Sequence, residues 1–130
     1  MGAATNSKAH TVKQVFTATL WILQNVGWCQ KYYFRDKQDN PMSCAFRSGD
    51  QEPGRRTPEN YQELGACDLM GALDTVEADP YLRVVAQNSL EQMIGASRSD
   101  PFPLNVWNDR PERTLADVVA LLERAINETP

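Results

Sequence analysis

Trp107, Asn108, Asp109 and Arg113 place an indole, an amide, a carboxylate and a guanidinium within seven residues. A ligand could stack on Trp107, hydrogen-bond to Asn108 and Asp109, and set an anionic group near Arg113. The free N–H groups that open the following helix would favour that charge. A plain structural reading competes: Trp107 fills the core, Asn108 or Asp109 caps a turn, and Arg113 pairs with Asp109. Trp28 and Gln30 would form a second wall of the same pocket if their segment lies beside residues 104–107. Alternatively Trp28 packs on the first helix and Gln30 satisfies backbone, as a buried amide must.

Other chemistry is thin. A cysteine nucleophile needs a nearby base, and the only histidine, His10, is far from Cys29, Cys44 and Cys67 in sequence. Asp68 or Asp74 beside Cys67 would raise its pKa rather than lower it. Three cysteines without Cys-x-x-Cys argue for reduced thiols and against zinc; a Cys29–Cys44 bridge across a hairpin is sterically conceivable. Asp74 and Glu77, one helical turn apart, suit a divalent ion or a solvated face. Tyr32-Tyr33-Phe34 beside Lys31 and Arg35 looks like a stacking platform for single strands, but strand alternation puts Tyr33 opposite the other two. There is no phosphate-binding glycine loop, dinucleotide fingerprint or Gly-x-Ser-x-Gly. No metal and no cofactor are expected.

The 130-residue chain is 42% hydrophobic and 23% charged, which fits one soluble globular domain. The run Leu20-Trp21-Ile22-Leu23 is far short of the ~20 residues of a membrane span. No signal-peptide pattern opens the chain, and Asn6 stands where myristoylation wants Ser or Thr. A cytoplasmic location is therefore expected. Residues 1–60 carry eight Lys/Arg against five Asp/Glu, and residues 61–130 carry five against twelve. That acidic second half, and the shortness of Arg55-Arg56, speak against a nucleic-acid footprint.

The elements that must position these residues follow from periodicity and punctuation. Residues 1–8 are small and polar and are expected to be disordered, with a single globular domain over 9–130. A first helix over Ala9–Asn25 carries Val12, Val15, Phe16, Thr19, Leu23 and Val26 on one face and ends at Gly27. A hairpin is expected within 28–47, turning at Asp39-Asn40-Pro41, and 48–58 reads as a surface loop. Thr57-Pro58 opens a second helix reaching Val76, with Gly65 near a break. Asp79-Pro80 opens a third to Ile94, closed by Gly95. Leu104–Trp107 reads as a short strand. Thr114 caps the last helix, and Asp117 completes a variant capping box. The expected fold is mainly α: about four helices around one core, with a small sheet from 28–47 and 104–107.

Three short motifs carry a resemblance. Gly27-Trp28-Cys29-Gln30, Cys67-Asp68-Leu69-Met70-Gly71-Ala72-Leu73 and Trp107-Asn108-Asp109 followed by Arg113-Thr114-Leu115 together resemble a domain of unknown function found in short proteins of actinobacteria, other bacteria and their phages. The similarity spans most of residues 12–126, although the middle motif here has an extra residue between Cys67 and Gly71. It implies a phage or mobile-element setting, where such a protein would sequester a signalling nucleotide or block a host defence protein. It implies no activity.

The leading expectation is a non-enzymatic binding protein that recognises a small polar or anionic ligand, or a partner protein, through Trp28, Gln30, Trp107, Asn108, Asp109 and Arg113. A second is a small enzyme using Asp109 as general acid or base with Asn108 positioning substrate, which requires a desolvated Asp109. A third is an interaction module whose acidic half docks a basic partner, with binding that weakens as salt rises.

Overall fold

The computed structural model describes residues 8–42, 63–97 and 99–130. The N-terminal residues 1–7, the loop at 48–58, Cys44 and the Thr57-Pro58 cap lie outside them. Five helices and a three-stranded antiparallel sheet are present among the described residues, so the fold is mainly α with a short sheet.

Helix α1 (Val12–Asn25) starts at Thr11, whose side chain accepts from the Gln14 N–H. Its buried face is Val15, Phe16, Ala18, Thr19, Ile22 and Leu23, close to the expected stripe. Gly27 follows the helix at φ 140, and a Cβ there would lie 2.6 Å from the Gly65 carbonyl oxygen. The glycine thus ends the helix and lets the neighbouring backbone run close beside it.

Strand β1 (Phe34–Asp36) pairs on one side with β2 (Pro41–Met42), Phe34 opposite Met42. The turn between them is Asx-bonded: Asp36 Oδ1 accepts from the N–H groups of Gln38 and Asn40. On its other side β1 pairs with β3 (Leu64–Cys67), Phe34 opposite Cys67. Segment 27–29 runs parallel to β3, with Cys67 N–H donating to the Gly27 oxygen and Cys29 N–H to the Cys67 oxygen.

Here two expectations need correction. Residues 64–67 are a strand, not part of a long second helix. Helix α2 (Leu69–Thr75) begins only after Asp68, whose Oδ1 caps it through the Gly71 N–H. Residues 104–107 are not a strand but lie in helix α4 (Pro103–Asn108). In a strand Leu104 and Val106 would share a face; instead Leu104 is 1% exposed and Val106 56%. Leu104 and Asn108, four residues apart, are the pair that turns inward. Pro103 has no N–H to lose at the first helical position.

Helix α3 (Pro80–Met93) is capped by Asp79 and closed by Gly95, and α5 (Leu115–Glu128) carries the Thr114–Asp117 capping box in full. Helix α1 lies at the centre, packed on α5, α2 and α3. The fully buried large side chains of the core include Phe16, Leu23, Phe34, Met42, Leu69, Leu73, Leu90, Leu104 and Leu122, and Asn108 is fully buried as well. No helix of the described residues is long and apolar enough to cross a membrane.

Candidate functional site

The six singled-out residues converge where segment 28–31 meets the end of α4. Asn108 is the centre. Its Oδ1 accepts from the Trp28 indole Nε1 at 2.7 Å and from the Leu69 N–H at 3.1 Å. Its Nδ2 donates to the Cys29 carbonyl at 3.1 Å and to Asp109 Oδ1 at 3.0 Å. All four hydrogen bonds of the amide are thereby made inside the protein. Gln30 Nε2 donates to the Asn108 and Arg110 carbonyls, at 3.0 and 2.7 Å. Asp109 Oδ1 also accepts from the Lys31 N–H at 2.8 Å, where Lys31 adopts φ 76.

Arg113 takes a different partner from the one the structural reading gave it. Its Nε donates to the Trp107 carbonyl at 2.9 Å and its guanidinium lies 3.9 Å from the Trp107 ring centroid. Its charge faces Asp117 at 3.9 Å rather than Asp109. The corner therefore ties three separate segments together: 28–31, the start of α2 and the end of α4.

Beside the corner lies a groove of about 320 Å³, lined by Ile94, Pro101, Pro103, Val106, Trp107 and Arg110 among others. Phe102, between the lining residues Pro101 and Pro103 in the chain, is 73% exposed and in left-handed backbone at φ 48, a strained setting for an aromatic residue. Arg110 is exposed and its guanidinium makes no ion pair among the described residues.

Behind the corner is a titratable group that the sequence reading did not assign to it. Asp68 is 1% exposed. Burial pushes its carboxyl up to about 7; the Gly71 N–H works against this and the charge of Asp109 adds to it. The Cys29 thiol is pushed up to about 12, first by burial and then by Asp68, with Arg35 opposing and Asp109 adding. Cys67 is driven upward by burial, Cys29 and Asp68. These thiols are held protonated, the opposite of what a nucleophile needs. The signal for Asp68 was present in the sequence: an Asp directly before an apolar run is an N-cap pattern. No group of three or more His, Cys, Asp and Glu among the described residues is arranged to hold a metal ion.

The chain belongs to a family of unknown function, DUF6197, whose model matches residues 7–128. No curated protein and no solved structure matches it.

Proposed function

We propose that this family member is a non-enzymatic binding protein, and that it takes a partner protein in the groove beside the Trp28–Asn108 corner. The observation that carries the reading is apolar surface left uncovered there. Val106, which lines the groove with Trp107 and two prolines, is 56% exposed, and Phe102, between those prolines in the chain, is 73% exposed. Exposed apolar patches of this kind mark interaction sites. The free Arg110 at the edge would select a partner that offers a carboxylate next to its apolar side chain. The corner's own polar groups are engaged with one another, so in this reading they hold α4 in place rather than touch the ligand. Among the described residues, the thiols of Cys29 and Cys67 and the carboxyl of Asp68 are buried, which supports binding over catalysis.

The test is photo-crosslinking from a benzophenone amino acid at position 106, in the chain expressed in its own host, followed by mass spectrometry of the adduct. A single dominant partner is expected. Its capture should fall about tenfold or more with Arg110→Glu or Phe102→Ser, in line with loss of an interfacial anchor. Capture unchanged by both substitutions would overturn the site. A small-molecule adduct in native mass spectra, lost with Arg110→Glu, would move the reading to an anionic ligand.

A further inference from the structure

Asp68 is the only buried carboxyl among the described residues; the other buried polar side chains besides the thiols are Thr19, Thr75 and Asn108. Among the described residues its side chain has one hydrogen-bond donor, the Gly71 N–H at 2.6 Å. Its own backbone N–H is tied to the carbonyl of Tyr33, the residue before β1, at 3.0 Å, which fixes its backbone at the joint between β1 and α2. The titratable groups facing it are Cys29 from segment 27–29, Cys67 from β3 and Asp109 from the end of α4. Arg35 on β1 reaches the Cys29 thiol. No cation pairs with Asp68 among the described residues. A carboxylate in such a place lacks both solvent and counter-charge, and the neutral form is favoured.

The next residue couples this to the corner. The Leu69 N–H donates to Asn108 Oδ1, and Asn108 Nδ2 donates to the Asp109 carboxylate. We propose that Asp68 is a proton-operated lock on the corner: protonated, it lets segment 28–31, α2 and α4 close around Asn108, and ionised, it drives them apart. The loss of the proton places a second negative charge across the joint from Asp109, and that charge draws water toward a dry interface. The carboxyl titrates near neutrality, since burial raises it to about 7, so the lock works in the range where cells and compartments differ in pH.

The experiment is NMR on the full chain between about pH 5 and about pH 9, following Asp68 Cγ and the Trp28 indole N–H together. The Asp68 carboxyl is expected to titrate at least about two pH units above the free carboxyl. The Trp28 indole signal should move with the same midpoint, and its hydrogen exchange, corrected for intrinsic catalysis, should accelerate about tenfold above it. Asp68→Asn keeps an acceptor for the Gly71 N–H and removes the ionisation, so the Trp28 step should vanish. Asp109→Asn should lower the Asp68 midpoint. An Asp68 midpoint in the ordinary carboxylate range, or a Trp28 step that survives Asp68→Asn, overturns the lock. If Asp68→Asn does not fold, the native chain decides: Cγ and indole midpoints that disagree by more than about half a unit overturn it as well.

Discussion

Asn108 shows how a residue that reads as a ligand-binding amide becomes a structural hub. The local sequence places Trp107, Asn108, Asp109 and Arg113 together, and the grouping of Trp28 and Gln30 with them holds. What the local sequence does not carry is the direction of the bonds. The partners of Asn108 come from Leu69, 39 residues away, and Cys29, 79 residues away. Only the tertiary fold decides that these groups satisfy one another. Removing the amide with Asn108→Ala would leave the Trp28 indole, the Leu69 N–H and the Cys29 carbonyl without this partner. At about 1–3 kcal/mol for each of these three groups, the expected loss is about 3 kcal/mol or more of unfolding free energy in urea. Asn108→Asp keeps the shape, loses both donors, and buries a carboxylate beside Asp109 and Asp68. Its loss should be larger at pH 8 than at pH 5, because ionisation is what the site resists. A cost below about 1 kcal/mol for Asn108→Ala would mean that the corner adds nothing to stability.

At the scale of elements, the long helices were legible because caps and apolar periodicity agreed. Asp79 and Thr114 cap where they were expected to, and Gly95 ends α3, while Thr11, expected inside the first helix, caps it instead. The short elements were not, for two different reasons. Ala66, Leu69, Met70, Leu73 and Val76 fit one helical face, with Leu64 and Cys67 alongside, so strand β3 and helix α2 read as one element, although Asp68 marks the boundary. Leu104–Trp107 carries a β-branched residue and an aromatic after two prolines, and four residues are too few for periodicity to separate strand from helix. Gly71 records what the α2 boundary achieves. A Cβ there would collide with the Tyr33 carbonyl oxygen, which accepts the Asp68 N–H. By propensity alone, Gly71→Ala inside a helix should stabilise by up to about 1 kcal/mol. The close approach reverses that sign. We expect Gly71→Ala to destabilise by about 2 kcal/mol or more, since backbone must move to make room. Gly95→Ala, where nothing lies within 4 Å, should cost only the ~1 kcal/mol of a left-handed backbone. A stabilised Gly71→Ala chain would show that α2 and β1 are not packed this closely.

At the scale of the molecule, three buried acids among the described residues shape how stability responds to pH. Asp68 binds its proton more tightly folded than unfolded, with a folded value of about 7 against an ordinary 3.8. The folded state therefore holds more protons than the unfolded state between those values, and the slope of unfolding free energy with pH is negative there. This contribution is fully present below about pH 4 and is lost as pH rises through 7. The thiols repeat the pattern higher up. Cys29 is raised from 9.0 to about 12, and Cys67 is raised as well, so a second decline begins near pH 9. Many acidic proteins lose stability on acidification instead, because their carboxylates are paired and their pKa values depressed. Here the described ion pairs are exposed or partly exposed contacts between residues four apart, and such pairs contribute little. Urea midpoints measured from about pH 5 to about pH 10 should thus fall in two stages. Asp68→Asn should erase the first and only reduce the second, since its charge helps to raise the thiols, while Cys29→Ser should shrink the second and leave the first. A chain whose midpoint rises between pH 5 and pH 7 would show that Asp68 is solvated or ion-paired, and the packing of the corner against α2 would have to be redrawn.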